Sequence, residues 1–121
     1  MTRARETSEN ARQAKAWVNF DGSGGDGATI SASSSFGVSS IGDNGTGDYT
    51  VNFETAFSDA NYVWAGCAGD TNTTLSNANS PFSIRSAVVS AGSLRFRTPY
   101  ANSSNYGFLD RGEVTLVFFG E

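Results

Sequence analysis

The sequence has no histidine, a single cysteine, two prolines and only 17% charged residues. Without histidine, the Ser–His and Cys–His pairs of nucleophilic catalysis cannot form. The lone cysteine, Cys67, excludes an intrachain disulfide. Its apolar neighbours at 62–68 predict that it is a small buried side chain and not a reactive thiol.

Long apolar runs are also absent, and no stretch approaches the roughly 18 residues of a membrane span. The first residues carry charges with no apolar segment after them, which predicts that the chain has no signal peptide. We therefore expect no membrane insertion and synthesis in a reducing cytoplasm.

Acidic side chains offer little for catalysis or metal binding. Glu54 with Glu113, or Asp110 with Glu113, could form a glycosidase pair, but this mechanism needs two facing acids in a cleft. Most acids of the chain lie in turn signals, where they bend the backbone. Asp21 and Asp26 flank a glycine-rich loop that does not match the ligand spacing of an EF-hand. We predict no enzyme, no catalytic residue, no metal site and no cofactor.

What the chain does contain is 14 glycines, 9 phenylalanines and many serines, threonines and asparagines in 121 residues. This composition favours one domain of many short strands joined by polar turns, with bulky rings in the core. About seven segments show strand patterns, at residues 16–20, 30–41, 49–53, 62–68, 82–89, 93–98 and 113–119. The predicted fold class is all-β, an antiparallel β-sandwich or small barrel.

Several segments give finer predictions. In 49–53, Tyr49, Val51 and Phe53 should share one face. Residues 30–41 should form a strand or strand pair on which Ile30, Ala32, Ser34, Phe36 and Val38 share one face. Asn44-Gly45 is a turn signal. The run 62–68 is apolar on both faces, which predicts a central or covered strand. The strand at 113–119 ends in Val117, Phe118 and Phe119, which cannot all enter one core, so a second layer or another subunit should cover the other face.

The N-terminal segment 1–15 differs from the rest of the chain. It holds four of the eight basic residues, Arg3, Arg5, Arg12 and Lys15, whereas the remainder is acidic. Ser8 could cap a short helix, and an extended arm is the alternative. We predict an arm that attaches the domain at 16–121 to another protein. No basic stripe follows it, so nucleic acid is not expected as a partner.

Two long polar loops, at 69–80 and 99–107, mix amides, hydroxyls and tyrosine rings that could bind a sugar. The alternative is that both loops are simply solvated connections. The candidate binding residues are Thr71, Asn72, Thr73, Asn77, Tyr100, Asn102, Asn105 and Tyr106.

Two motifs carry a resemblance. AKAWVNFDGSG at 14–24 and FGVSSIGDNGTGDYTVNF at 36–53 resemble a C-terminal module of tailed-phage tail fibres and other virion proteins. DANY at 59–62 and VFFG at 117–120 are similar to later parts of that module. The resemblance is specific over residues 15–53, about a third of the chain, and weaker beyond them.

The resemblance implies a β-structured knob on a virion appendage, assembled as a homotrimer. We therefore expect a virion protein made in the host bacterium, a trimeric fibre-tip component that contacts a glycan or protein of the host surface. Residues 1–15 would bind another virion protein. The alternative is a capsid or head decoration protein with a purely structural role, because the chain is almost only the module.

Overall fold

The structure is a computed structural model that describes residues 13–23, 29–69, 85–101 and 106–121. Every regular element in these ranges is a strand, which confirms the all-β prediction. The strands are β1 (Ala14–Phe20), β2 (Thr29–Ile30), β3 (Ala32–Phe36), β4 (Val38–Gly45), β5 (Asp48–Phe53), β6 (Val63–Gly69), β7 (Arg85–Val89), β8 (Ser93–Arg97), β9 (Pro99–Ala101), β10 (Tyr106–Phe108) and β11 (Glu113–Phe119).

Two antiparallel sheets pack together as a sandwich. The four-stranded sheet has the order β3-β1-β11-β6, and the five-stranded sheet has the order β2-β4-β5-β8-β7. Strands β9 and β10 form a small separate pair. Of the two architectures that the sequence allowed, the structure is therefore the sandwich, with polar turns joining strands that alternate between core and solvent.

Aromatic rings fill much of the space between the sheets. The ring of Phe53 lies 5.0 Å from that of Phe57, 5.5 Å from Tyr62 and 4.8 Å from Phe118, each at a steep angle. Such edge-on contacts suit the quadrupoles of the rings. The buried apolar core comprises Ala16, Val18, Phe20, Ile41, Tyr49, Val51, Phe53, Phe57, Tyr62, Ala68, Leu94, Phe96, Val114, Leu116 and Phe118.

The core residues confirm the alternation predicted for 49–53, since Tyr49, Val51 and Phe53 are all buried. The end of β11 follows the same rule, because Phe118 is fully buried while Phe119 is only partly buried. Phe118 therefore has its cover within the chain.

Of the five residues predicted to share one face, Ile30, Ala32 and Val38 pack against the core, whereas the prediction is wrong for Ser34 and Phe36, which are exposed. Only Ser31 separates β2 from β3, and here the chain passes from the five-stranded to the four-stranded sheet. A β-bulge at Ser33 interrupts the pairing of β3 with β1. Because an extra residue reverses the alternation, Ala32 packs against the core whereas Phe36 is 57% exposed.

The turn between β4 and β5 also differs from its sequence signal. Asn44 and Gly45 belong to β4, and the turn lies at Thr46 and Gly47. A register shift near Asn44 lets β4 continue past the predicted turn. The Asn44 side chain donates to Thr50 Oγ1 across the strand pair at 2.7 Å.

Strand β6 corrects two predictions. Within the described residues it pairs only with β11, so it is an edge strand and not a central one. Val63 is 66% exposed and Cys67 is exposed, while Ala68 faces the core. Period-two alternation explains this, because Cys67 and Ala68 must point to opposite faces. The predictions of a covered strand and of a buried Cys67 are wrong.

The strand β1 begins at Ala14, so Lys15 lies in the sheet and not before it. Residues 1–12 of the predicted arm, which include Arg3, Arg5, Ser8 and Arg12, lie outside the described residues. Within the described ranges, no helix is present that has the length and hydropathy to cross a membrane.

Burial across the sandwich predicts a contrast between two valines. Val114 is fully buried on β11, whereas Val88 on β7 is 56% exposed. Val114→Ala should lower the free energy of unfolding by about 2 kcal/mol through lost burial and a cavity. Val88→Ala should change it by less than about 0.5 kcal/mol. Urea unfolding followed by tryptophan fluorescence measures both, and equal costs would contradict the assigned core.

Candidate functional site

Most of the residues predicted to bind a sugar lie outside the part of the chain that the structure describes. Thr71, Asn72, Thr73, Asn77, Asn102 and Asn105 lie outside the described residues. The backbones of Tyr100 and Tyr106 are described, on β9 and β10, where Tyr100 pairs with Gly107 and Tyr106 with Ala101. The register therefore places the two tyrosine positions on neighbouring strands. Of the predicted attachment residues, only Lys15 is described, and it is exposed.

A buried polar cluster lies at one end of the sandwich, centred on Tyr49. The Tyr49 hydroxyl lies 2.8 Å from the Gly22 carbonyl oxygen and 2.9 Å from Asp110 Oδ1, and its single proton is shared between these two acceptors. The amide of Gly47 donates to the same Asp110 oxygen at 2.7 Å. Gly22 N donates to the carbonyl of Arg111 at 2.7 Å. Three segments distant in sequence are thereby tied together.

Burial sets the chemistry of this polar cluster. Desolvation raises the pKa of Tyr49 far above its usual range, and the hydrogen bond to Asp110 and the Asp110 charge raise it further. Tyr49 is thus a neutral donor at physiological pH. Asp43 and Arg111 are also buried, with 4% and 1% of their surface exposed. Such an arrangement joins loops through satisfied hydrogen bonds.

Glycines make the close approach of these loops possible. A Cβ on Gly22 would meet the Tyr49 hydroxyl and lie 2.9 Å from the Arg111 carbonyl. Gly47 has a φ of +62°, and a Cβ there would lie 2.7 Å from Leu109 N. The first contact excludes a side chain by sterics, and the second position also requires a left-handed backbone.

The three acids weighed above as glycosidase pairs lie in different environments. Asp110 bonds within the buried polar cluster. Glu54 and Glu113 are exposed. Among the residues that the structure describes, no three histidine, cysteine, aspartate or glutamate side chains are grouped so that they could hold a metal ion.

A cleft of about 360 Å³ lies beside the start of β1. Gln13 and Lys15 line one part of it, and Glu54 and Phe57 line another. The cleft therefore opens where the N-terminal segment joins the sandwich, with one exposed charge of each sign on its wall.

The outer surface of the four-stranded sheet has an apolar part beside a polar row, in which Asn19 Nδ2 donates to Thr115 Oγ1 at 2.8 Å and Ser34 and Cys67 lie on either side in the register. Residues in register across its strands form a continuous row, which is Phe36, Trp17, Val117 and Ala65. Phe119 and Val63 form a second pair beside it. The rings of Trp17 and Phe36 stack with centroids 6.4 Å apart. We call these six residues the apolar face.

The outer surface of the five-stranded sheet is polar by contrast. Its polar outward side chains, which we call the polar face, are Ser40, Asn44, Asp48, Thr50, Asn52, Arg95 and Arg97, and the exposed Val88 lies opposite Arg95 in the register. Arg95 binds Asp48 through two contacts, Nε to Oδ1 at 2.9 Å and Nη2 to Oδ2 at 2.7 Å. The hydrogen bond and charge of Arg95 lower the pKa of Asp48, although partial burial opposes them.

Sequence patterns predict some of the outward side chains on the two faces but not all of them. The alternation of Leu94 and Phe96 with Arg95 and Arg97 places the arginines on one side of a strand. Their partner Asp48 lies 47 residues earlier than Arg95, so the sequence could not pair them. The exposure of Phe36 depended on the bulge at Ser33 and had no local signal.

No family model, curated protein or solved structure matches this chain.

The polar cluster leads to a prediction about pH. Tyr49→Phe removes the hydroxyl and leaves its acceptors without that donor, which should lower the free energy of unfolding at pH 7 by about 1–3 kcal/mol. Tyrosines of the unfolded chain lose their proton near pH 10. Since folded Tyr49 keeps its proton there, the unfolded state binds fewer protons, and the stability of the unmodified chain falls as the pH rises.

The difference between the unmodified chain and Tyr49→Phe should therefore shrink from pH 7 to pH 11, as measured by urea unfolding. Tyr62→Phe is the control. Burial also raises the pKa of Tyr62, but its hydroxyl makes a longer bond, 3.2 Å, to the Ser93 carbonyl. A difference for Tyr49→Phe that stays constant across this pH range would contradict the role assigned to Tyr49.

Proposed function

We propose that this chain is a structural protein of a tailed-phage particle, a trimeric fibre-tip or appendage component that contacts the host surface and has no catalytic role. The resemblance of 14–24 and 36–53 to the tail-fibre module motivates the proposal. The observation that carries it is the apolar face, because a structural subunit needs a surface on which to assemble.

Exposed aromatic surface is costly in water, and continuous apolar patches on soluble proteins usually mark interfaces. Phe36 and Val63, at opposite edges of the four-stranded sheet, are 57% and 66% exposed, so the apolar face spans all four strands. Closed symmetry satisfies such a surface, because each copy covers part of the next. In the proposed trimer the four-stranded sheets face the threefold axis.

The remaining parts of the chain then take complementary roles. The N-terminal segment, with Arg3, Arg5 and Arg12, would attach the trimer to another virion protein. The five-stranded sheet and the loops at 69–80 and 99–107 would face outward. Weak contacts repeated over three copies would combine into stable attachment through a high effective concentration.

A decoration protein of the capsid is the second candidate. The same apolar face favours it if the surface docks on a shell protein and not on a second copy. The two proposals differ in the isolated chain, which would be a trimer under the first and a monomer under the second.

Oligomeric state tests the trimer with a matched pair of variants. Val63 and Val88 are both exposed on edge strands, but on opposite sheets. Val63→Asp places a charge in the apolar face and should convert the trimer to a folded monomer. Val88→Asp should remain a trimer. Light scattering after size-exclusion chromatography measures both, with circular dichroism as the check on folding. An unmodified chain that is monomeric in solution would contradict the proposed trimer.

Attachment is tested by removing residues 1–12, which leaves all of β1 in place. We expect the shortened chain to fold and to form the same oligomer, but not to join particles that assemble without the wild-type protein. Western blotting of purified particles measures its incorporation. A shortened chain that still loads onto particles would refute the role of the arm.

A further inference from the structure

The polar face has an excess of positive charge on an acidic protein. The whole chain has a net charge of −4. Among the outward strand positions of the five-stranded sheet that the structure describes, Arg95 and Arg97 face a single acid, Asp48. A third arginine position, Arg85, lies directly opposite Arg97 in the register of β7 and β8. The described outward side chains of this sheet therefore carry two positive charges and one negative charge.

The guanidinium groups of Arg95 and Arg97 are held in place but keep N–H donors available to a ligand. Both side chains keep about 40% of their surface exposed, at 41% for Arg95 and 40% for Arg97. Arg97 Nε lies 3.4 Å from Asp48 Oδ2, which is a long contact for a hydrogen bond. Each guanidinium has five N–H donors, so the contacts to Asp48 leave donors that face solvent.

An exposed ring lies next to these charges. The guanidinium carbon of Arg97 sits 5.0 Å from the centroid of Phe108, within the range of a cation–π contact. Phe108 is itself 41% exposed. The contact restrains Arg97 and presents apolar surface beside it. A restrained donor loses less conformational entropy on binding than a free side chain does.

Neutral polar groups cover the rest of the face and are also held in place. Asn52 Nδ2 donates to Ser40 Oγ at 3.0 Å, and Asn44 Nδ2 donates to Thr50 Oγ1 at 2.7 Å. Amides and hydroxyls can donate and accept at the same time. The face therefore combines a fixed cationic group, an exposed ring and a series of hydroxyls and amides.

We infer that the polar face binds an acidic glycan, whose carboxylate or phosphate group pairs with Arg97 and Arg95 while a sugar ring packs against Phe108. A guanidinium matches either oxyanion with two parallel hydrogen bonds. The hydroxyls of neighbouring sugars would pair with the amides and hydroxyls of β4 and β5.

A nucleic acid fits this surface less well. Binding to its backbone draws strength from neutralising many phosphates, whereas the described strands of this sheet offer two arginine side chains and one opposing acid on a chain of net charge −4. A glycan carries acidic groups spaced among hydroxyls, and this spacing corresponds to the mixed composition of the face.

The inference goes beyond the proposed function, since it concerns the isolated chain and does not depend on membership of a particle. Its failure would leave the oligomer and attachment predictions unaffected. Equally, a monomer in solution would leave the polar face available to bind.

Isothermal titration of the unmodified chain at low ionic strength is the test. The probes are a galacturonate hexasaccharide for carboxylates and a phosphomannan oligosaccharide for phosphates, with maltohexaose as the neutral counterpart and a single-stranded DNA hexamer as the other polyanion. We expect binding to at least one acidic glycan, weakening as salt is added, and none to maltohexaose or the DNA. The acidic glycan that binds identifies the oxyanion.

Three variants connect the binding to the face. Arg97→Gln should weaken it by about 10-fold or more, since a charge-assisted hydrogen bond is lost. Phe108→Ala should weaken it with no change in net charge. Ala60→Asp is the control, because Ala60 is exposed in the loop before β6 and the substitution alters net charge by the same amount as Arg97→Gln. Thermal melting confirms that each variant is folded.

The inference is overturned if neither acidic glycan binds, or if the DNA hexamer binds as tightly as the glycan. Equal losses for Arg97→Gln and Ala60→Asp would also overturn it, since net charge alone would then account for the effect. Losses confined to Arg97→Gln and Phe108→Ala would support it.

Discussion

Tyr49 joins the two kinds of packing on which this sandwich depends. Its ring contacts Phe20 and Phe96 with centroids 5.3 Å and 5.6 Å away, so it belongs to the aromatic core. Its hydroxyl reaches the polar loops at Gly22 and Asp110. Because one side chain serves both, the ends of the loops cannot shift without disturbing the core, and the core cannot repack without releasing the loops.

The two sheets share that core but differ on their outer surfaces. The four-stranded sheet presents aromatic and aliphatic side chains beside one polar row, whereas the five-stranded sheet presents mainly amides, hydroxyls and arginines tied to Asp48. A sandwich normally needs only its inner faces to be apolar. Packing between the two sheets therefore does not require the outer faces to differ, and their difference is the main reason to expect distinct partners on opposite sides.

Sequence patterns predict some strands of the sandwich correctly and others not. Period-two alternation was sufficient for β5 and β8, where each strand has one buried and one solvated face. It failed in part of residues 30–38, where a one-residue bulge reversed the alternation without any local signal, and at 62–68, where small residues made an edge strand look covered. Sheet order and the pairing of Asp48 with Arg95 depend on contacts between distant segments, which no local pattern contains. The candidate binding residues of the loops depend on composition alone, and all of them except Tyr100 and Tyr106 lie outside the described residues.

The position of β11 has a consequence for how the protein is made. It is the last strand along the chain, yet it lies between β1 and β6 and supplies the partner for both. Until the ribosome has released residues 113–119, β1 and β6 have no strand to join them, and the four-stranded sheet cannot form. Folding of this sheet must therefore follow translation of its final strand. A product truncated before β11 would expose two unpaired strand edges to aggregation.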